Sequence, residues 1–167
     1  LDLRRLRSIG IEPESTAITD GTTARSWDDY VGAVARLAHA LHTAGVRPGD
    51  RVGVRMLKSI DSFVAVHAIL RTGAVMVPVD PLAPVDHAAW VLDDADVTVL
   101  VADARARGLV AVVEAAGITS VLLPGTNDTA AFADLDDVMV IASSAIAASE
   151  MLDPVAVGVE DAAYIMY

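Results

Sequence analysis

The sequence has 167 residues, of which 54% are hydrophobic and 4% aromatic, and it contains no cysteine. A mean hydropathy of +0.49 excludes a disordered chain, and a domain of this size buries roughly 70% of its unfolded surface. The missing cysteines exclude disulfides, thiolate zinc sites and a cysteine nucleophile. The longest uncharged apolar stretch, residues 138–149, is shorter than the roughly 20 residues of a spanning helix. We therefore predict no membrane span and expect a cytoplasmic protein.

The formal net charge is −11, and its distribution along the chain is uneven. All 12 basic residues lie at or before Arg107, so residues 1–107 sum to −2 and the remainder carries −9. Such a surface repels phosphate backbones, which excludes nucleic acid as a partner. Arg4, Arg5 and Arg7 are not followed by the apolar core of a signal peptide, and we predict an exposed first turn there.

The first third of the chain predicts a hairpin, a helix and a strand. Residues 15–27 form the hairpin, with Asp20 and Gly21 in its turn. Ser26 caps a helix that Gly45 ends, because apolar residues recur at spacings of three and four between them. Residues 51–56 alternate as a strand with three apolar side chains on one face: Val52, Val54 and Met56.

Helices and strands alternate along the rest of the chain. The sequence predicts helices over residues 59–72, 85–93 and 107–116 and strands over residues 75–79, 97–101 and 119–123. Residues 124–137 are turn-rich, residues 138–152 fit either a strand or a helix, and the apolar run 162–167 predicts a buried strand. This order predicts an α/β fold, with a doubly wound, mostly parallel sheet, flanking helices and a short N-terminal β-hairpin.

Motifs of several enzyme classes are absent from the sequence. It has no glycine-rich phosphate loop ending in Lys-Ser or Lys-Thr, no dinucleotide fingerprint, no Gly-x-Ser-x-Gly elbow and no paired-histidine zinc spacing. His39 and His42 lie three apart on a helix without a matching carboxylate, so we predict structural or solvated roles. We expect His67 to be a hydrogen-bonded core residue and assign no role as a base to His87.

The remaining candidates are one lysine and several aspartates. Lys58 follows a strand, a common place for a phosphate ligand, but without a glycine-rich cradle we expect a solvated cation. Asp93, Asp94 and Asp96 predict a solvated acidic turn rather than a Ca²⁺ loop, whose ligand spacing is missing. Asp103 follows a strand like the phosphoacceptor of a receiver domain, but the acidic pair and the lysine of that site are missing. We assign no catalytic, cofactor-binding or metal-binding residue.

Three segments resemble one enzyme family in their order and spacing. Residues 26–30 read Ser-Trp-Asp-Asp-Tyr and lead to Gly-Val-Arg-Pro-Gly-Asp-Arg-Val at 45–52. Leu57, Lys58 and Ser59 precede a helix that ends Ile-Leu-Arg-Thr-Gly-Ala at 69–74, followed by Val-Pro-Val-Asp-Pro at 77–81. The third segment is Asp-Ala-Ala-Tyr-Ile-Met-Tyr at 161–167. From about residue 15 to residue 167, the chain resembles the start of an adenylate-forming enzyme, of the acyl-CoA synthetase and nonribosomal-peptide adenylation-domain superfamily.

The resemblance implies a two-step reaction in an intact enzyme. A carboxylate attacks the α-phosphate of Mg-ATP to give an acyl- or aminoacyl-adenylate, and a phosphopantetheine thiol of CoA or a carrier protein then takes the acyl group. In that family the strand at 161–167 runs into a loop of Thr, Ser, Gly and a following Lys that wraps the ATP phosphates. The resemblance therefore implies that residues 1–167 are a partial adenylation domain, the first subdomain of the large N-terminal domain, cut just before this loop.

The resemblance also implies that the catalytic groups lie in later parts of the chain and that residues 1–167 alone are inactive and bind ATP and Mg²⁺ weakly. The matched residues, such as Gly73, Pro78, Tyr164 and Tyr167, look like scaffold for the loop. Asp80, where many fatty acyl-CoA ligases have Asn, leans towards amino-acid adenylation domains and carrier-protein ligases, among amino, aryl and fatty acid substrates. The alternative hypothesis is a non-catalytic, flavodoxin-like binding or interaction module.

Overall fold

The computed structural model describes residues 3–167, with side chains from residue 6 onward. Its helices are α1 (Leu3–Ser8), α2 (Trp27–Thr43), α3 (Ile60–Arg71), α4 (Val85–Asp94), α5 (Leu109–Ala115) and α6 (Ser143–Ala148). Its strands are β1 (Thr16–Thr19), β2 (Ala24–Ser26), β3 (Arg51–Arg55), β4 (Val75–Pro78), β5 (Val99–Ala102), β6 (Ser120–Leu123) and β7 (Met139–Ala142). A 3-10 turn, Ala130–Phe132, lies between β6 and β7. The predicted exposed turn at Arg4 and Arg5 falls on side chains outside the described part, whereas Arg7 is exposed in α1.

The predicted hairpin is confirmed, and its turn is built by one carboxylate. Strands β1 and β2 pair antiparallel, with Thr19 opposite Ala24. The Oδ1 atom of Asp20 accepts from the backbone N–H groups of Thr22 and Thr23 at 2.9 and 2.8 Å. An Asx-type turn of this kind reverses the chain within four residues.

The main sheet is parallel throughout, in the order β4-β3-β5-β6-β7. Helices α2, α3 and α6 contribute to one apolar cluster, with Val52, Val54, Val99 and Val101 of the sheet. Helices α4 and α5 cover the opposite face with Val77, Leu100, Val121 and Leu123. The sheet is therefore doubly wound, as the alternation of helices and strands predicts.

The order of the strands changes direction between β3 and β5. The chain leaves β3 through α3 towards the edge strand β4, and it leaves β5 through α5 towards β6. In open parallel sheets a crevice forms outside the carboxyl ends of two such strands, and ligands commonly bind there. In this sheet the crevice lies between residues 56–59 and 103–108, the segments that follow these two strands.

Local capping explains where the long helices begin and end. The Ser26 side chain accepts from the N–H of Asp29, and Ser59 and Ser62 form a reciprocal capping box at the start of α3. Gly45 and Gly73 follow the two helices with φ of +99° and +73°, a region that favours glycine. All four predicted boundary residues are confirmed.

The structure differs from the sequence prediction near the end of the chain. Residues 138–152 form both alternatives in succession, β7 and then α6. The predicted buried strand at 162–167 is wrong: only one parallel bridge joins Tyr164 to Met76, and Tyr164, Met166 and Tyr167 are 59%, 70% and 52% exposed. This run lies outside the edge strand β4, where no helix among the described residues covers its outer side. Most of its apolar side chains are therefore exposed, and Ile165 is the one that packs against the core cluster.

Candidate functional site

The carboxyl edge of the sheet brings together the segments after β3 and β5. The N–H of Asp103 donates to the carbonyl of Arg55 at 3.1 Å, which holds the two segments side by side. Lys58 is exposed in the loop between β3 and α3, as its sequence context predicts. The edge therefore presents one lysine and one aspartate near the switch in strand order.

The carboxylate of Asp103 is bound by the neighbouring residue Arg105. Its two carboxylate oxygens accept from Nε and Nη2 of Arg105 at 3.0 and 2.7 Å, and the backbone N–H of Arg105 adds a third bond. The hydrogen bonds from Arg105 hold the pKa of Asp103 below its ordinary value. A carboxylate clamped in this way is a poor phosphoacceptor, which agrees with the sequence interpretation.

Arg55 is the functional candidate that the sequence interpretation missed. Strand alternation places Val52 and Val54 on the face towards α2 and α3, so Arg55 points to the face that α4 and α5 cover. The residue is fully buried, and only its Nη2 atom has a partner in the described part of the chain, the carbonyl of Ala83 at 3.1 Å. The sequence did contain a signal for this residue: an arginine within an apolar strand. Strands of parallel sheets are buried on both faces, so a charged side chain in one of them is unusual.

A cleft of about 810 Å³ runs along helix α2. Its lining includes an ion pair between Arg25 and Asp61 at 2.7 Å, which joins β2 to the first turn of α3. Arg36 projects over Gly32, where an added Cβ would lie 3.1 Å from its Nη1 atom. The size suits a small molecule, but the side chains present offer charge recognition rather than a nucleophile paired with a base.

The four histidines do not converge. His39 lies on α2 with its Nε2 atom 3.9 Å from Oε2 of Glu150, and His42 is near Arg47 at the end of the same helix. The predicted hydrogen bond of His67 is confirmed, since its Nδ1 atom lies 2.7 Å from the hydroxyl of Tyr30, but the residue is half-buried and not part of the core. His87 stacks on Trp90 with ring centroids 6.1 Å apart.

The acidic turn has partners of its own. Asp96 accepts from Nη2 of Arg51 at 2.8 Å and has a φ of +51°. Asp94 accepts from the hydroxyl of Tyr167 at 2.6 Å. Across residues 6–167, no three His, Asp or Glu side chains are placed to hold a metal ion. Asp93, Asp94 and Asp96 are all exposed, as predicted for a solvated turn, and two of them have side-chain partners that the sequence did not predict.

Aromatic side chains join the last residues of the chain to α4. Tyr167 packs edge-on against Trp90 with ring centroids 5.4 Å apart, and Trp90 is 53% exposed. The backbone bonds from Met76 to Ala163 and from Ile165 to Met76, at 3.0 and 2.9 Å, align this run with β4. The carboxyl ends of β4 and of the terminal run therefore point in the same direction.

No helix in the described part of the chain has the length and apolarity that crossing a bilayer requires.

Comparison with known proteins identifies relatives along the whole chain. Phosphinothricin tripeptide synthetase PhsC of Streptomyces viridochromogenes is 34% identical over 122 residues, 73% of this chain and 11% of its own length. The L-proline–[L-prolyl-carrier protein] ligase of Pseudomonas fluorescens is 27% identical over 164 residues, 98% of this chain and 31% of its own length. The chain thus spans less than a third of either relative.

Solved structures agree with these sequence relatives. Apo MatB from Rhodopseudomonas palustris superposes with a TM-score of 0.71 at 25% identity, over 93% of this chain and 29% of that one. The family model described as "AMP-binding enzyme" matches residues 7–167. Since this match covers almost the entire sequence, the chain belongs to the family of AMP-binding, adenylate-forming enzymes.

Proposed function

We propose that residues 1–167 are the first subdomain of an ATP-dependent, AMP-forming carboxylic acid ligase. The observation that carries this proposal is the family match over residues 7–167. The intact enzyme makes an acyl- or aminoacyl-adenylate from ATP and a carboxylic acid, and it passes the acyl group to a phosphopantetheine thiol. Adenylation replaces a poor leaving group on the acid with a good one, and preorganised donors stabilise the charge that develops on the phosphates.

The acid and the thiol acceptor are proposed at the level of classes. Relatives named for a tripeptide synthetase and a prolyl-carrier-protein ligase favour an amino acid and a carrier protein over an aryl or fatty acid and CoA. The proposed location is the cytoplasm, where ATP and carrier proteins are available. A panel of amino, aryl and fatty acids, tested for acid-dependent pyrophosphate exchange into ATP by the longer protein, identifies the substrate class.

The proposed role of this chain is scaffold rather than catalysis. Across residues 6–167, no three His, Asp or Glu side chains are placed to hold a metal ion, and the proposed sites of ATP and Mg²⁺ lie in later parts of the longer protein. The proposed task of these residues is to position the segment that follows them, because the backbone of Met76 aligns the terminal run with β4. That run would deliver a following phosphate loop to the carboxyl edge of the sheet.

The proposed domain boundary has its own test. The reading frame of the gene is expected to continue past Tyr167 with a loop rich in Thr, Ser and Gly that contains a lysine. A stop codon at that point, or an unrelated continuation, contradicts the boundary and favours the alternative, a flavodoxin-like binding module without chemistry. The family match does not favour that alternative, although a strand order of this kind also occurs in flavodoxin-like proteins.

A further inference from the structure

The positive charge of Arg55 is buried with only one hydrogen-bond partner among the described residues. The side chain has no exposed surface, and its Nε and Nη1 atoms have no hydrogen-bond partner among the described residues. A guanidinium has five N–H donors and stays ionised in proteins; here the contact to Ala83 uses only one donor. Burial lowers the pKa of Arg55, and the negative charge of Asp80 partly opposes this effect. A charge buried with so few partners raises the free energy of the closed arrangement.

The first turn of helix α4 lies next to this guanidinium. Ala83, whose carbonyl accepts from Arg55, precedes the N-cap residue Pro84, and no side chain caps the helix. The N-terminal N–H groups of a ten-residue helix carry a partial positive charge and attract anions. The guanidinium of Arg55 and the N-terminus of α4 are therefore two electropositive groups on either side of the Ala83 carbonyl.

The nearby carboxylates do not neutralise the pair by contact. Asp80 is exposed, and its Oδ1 atom accepts from the N–H of Leu82 at 2.8 Å. Asp86 is exposed in the first turn of α4, and Asp103 is bound by Arg105. Asp80 and Asp86 lower the local potential at a distance and weaken anion binding to some extent. They leave the Nε and Nη1 donors of Arg55 without an acceptor.

A short segment, residues 80–84, covers the guanidinium. Within it Leu82 is 62% exposed and contributes little to the core, whereas Ala83 is buried and belongs to the apolar cluster under α4 and α5. Its one backbone bond to another loop runs from the N–H of Arg107 to the carbonyl of Pro81 at 2.8 Å. Movement of the segment therefore exposes one small buried side chain, breaks the bonds at the carbonyls of Pro81 and Ala83, and uncovers a strong donor group. Segments with few buried contacts and few backbone bonds are those that open locally in native proteins.

We propose that Arg55 and the first turn of α4 form a concealed oxyanion-binding site that opens when residues 80–84 move. A phosphate or carboxylate group would accept from the guanidinium fork and from the free N–H groups of the helix, which are the usual partners of such groups. The ligand makes a minor open state the dominant one, as in other cryptic sites. This proposal does not depend on the proposed function.

The test is a titration of the 167-residue protein, followed by ¹H–¹⁵N NMR at constant ionic strength. Inorganic phosphate and acetate, each replacing chloride, distinguish the two oxyanion sources. We expect saturable shifts of the Arg55 Nε–H signal and of the amides of residues 85–88 with at least one of the two anions. The amide shifts are lost in Arg55→Met and retained in Arg105→Met, which removes an exposed guanidinium from the same edge of the sheet.

Hydrogen exchange tests the opening separately. Since an apolar side chain of similar size removes the buried charge, Arg55→Met should slow exchange of the Leu82 and Ala83 amides. In the wild type, phosphate should speed this exchange. Faster exchange in Arg55→Met would mean that Arg55 holds the segment closed and would overturn the opening step. Absence of saturable shifts in the wild type, or equal amide shifts in Arg55→Met, would overturn the site itself.

Discussion

At the scale of single residues, Gly53 lies where a leucine of helix α4 packs directly on the sheet. A Cβ atom added there would lie 2.7 Å from Cδ2 of Leu92 and 2.8 Å from Cδ1 of Leu100, both of which are fully buried. Neither side chain has solvent to move into, and the close packing of a core leaves little volume to absorb a methyl group. Gly53 is therefore required for packing, not for backbone conformation.

Substitution of Gly53 by alanine tests this requirement. We expect Gly53→Ala to lower the free energy of unfolding by about 1 to 3 kcal/mol, the usual cost of overpacking a core. The matched control is Gly125→Ala, whose Cβ would meet nothing closer than 4.0 Å. Urea unfolding of both variants measures the difference, and equal midpoints would contradict the packing argument.

The Asp103–Arg105 pair predicts a pH dependence at the carboxyl edge. The pKa of Asp103 is lower in the folded chain than its ordinary value of 3.8 because Arg105 donates to the carboxylate. Ionisation of Asp103 therefore stabilises the fold above that ordinary value, and this contribution disappears as the pH falls through the folded-state pKa. The stability difference between wild type and Arg105→Met should accordingly shrink at acidic pH.

NMR titration of the carboxyl groups measures the same effect directly. In Arg105→Met the pKa of Asp103 should rise towards its ordinary value. The pKa of Asp20 serves as an internal control, since it is lowered by hydrogen bonds with Thr23 and Thr22 in a distant turn. An unchanged pKa of Asp103, or a parallel rise at Asp20, would show that Arg105 is not the cause.

Arg55 shows which residues the sequence could not place. Its position in a predicted strand was correct, but strand alternation alone does not say whether both faces of that strand are covered. That depends on which helices pack on which face, and this is a property of the whole doubly wound sheet. The interpretation of Asp103 rested on the missing acidic pair and lysine, and the structure adds its partner Arg105, which is only two residues away.

At the scale of elements, helix α3 begins with a reciprocal capping box. The Ser59 hydroxyl accepts from the N–H of Ser62 at 3.2 Å, and the Ser62 hydroxyl accepts from the N–H of Ser59 at 3.1 Å. Two N–H groups that would lack partners at a helix start are satisfied in this way. The cap fixes the start of the helix directly after the loop that carries Lys58.

Removal of this cap has a defined expected cost. Ser59→Ala should lower the free energy of unfolding by about 1 kcal/mol, as measured for other N-cap serines. The control is Ser144→Ala, since the Ser144 hydroxyl is exposed on α6 and caps no helix. Thermal unfolding compares the two variants, and a loss at Ser144 as large as that at Ser59 would argue against a specific cap.

The terminal run depends on backbone pairing with the edge strand. The N–H of Ile165 donates to the carbonyl of Met76, so Ile165→Pro removes a donor that Ile165→Ala keeps. We expect the Met76 amide, which donates to Ala163, to lose its protection from hydrogen exchange only in the proline variant. Equal protection in both variants would mean that side-chain packing, not strand pairing, holds this run in place.

Element boundaries were predictable wherever a local signal exists. Ser26, Gly45, Ser59 and Gly73 mark helix ends in the sequence and in the structure because capping and positive φ are local properties. Within residues 138–152, no side-chain cap or glycine shows where β7 ends and α6 begins. The run 162–167 was misplaced because its apolar composition resembles that of a buried strand, whereas its exposure depends on what covers the edge of the sheet.

At the scale of the whole molecule, the charge and the fold were predictable from the sequence, and the site was not. Hydrophobic periodicity is sufficient to predict a doubly wound sheet, and the family match over residues 7–167 agrees with the resemblance. The switch in strand order and the covered guanidinium follow from long-range packing that no single segment contains. The proposed scaffold role is consistent with a chain that has a buried core and no recognised catalytic motif.

The most direct test of the proposed activity is exchange of labelled pyrophosphate into ATP by the longer protein that contains this chain. We predict exchange that depends on one class of carboxylic acid and that is absent when the acid is omitted. Residues 1–167 alone, assayed in parallel, should give no exchange. Absence of exchange with every amino, aryl and fatty acid of the panel, in a folded longer protein, would contradict the proposal that this chain belongs to an active acid ligase.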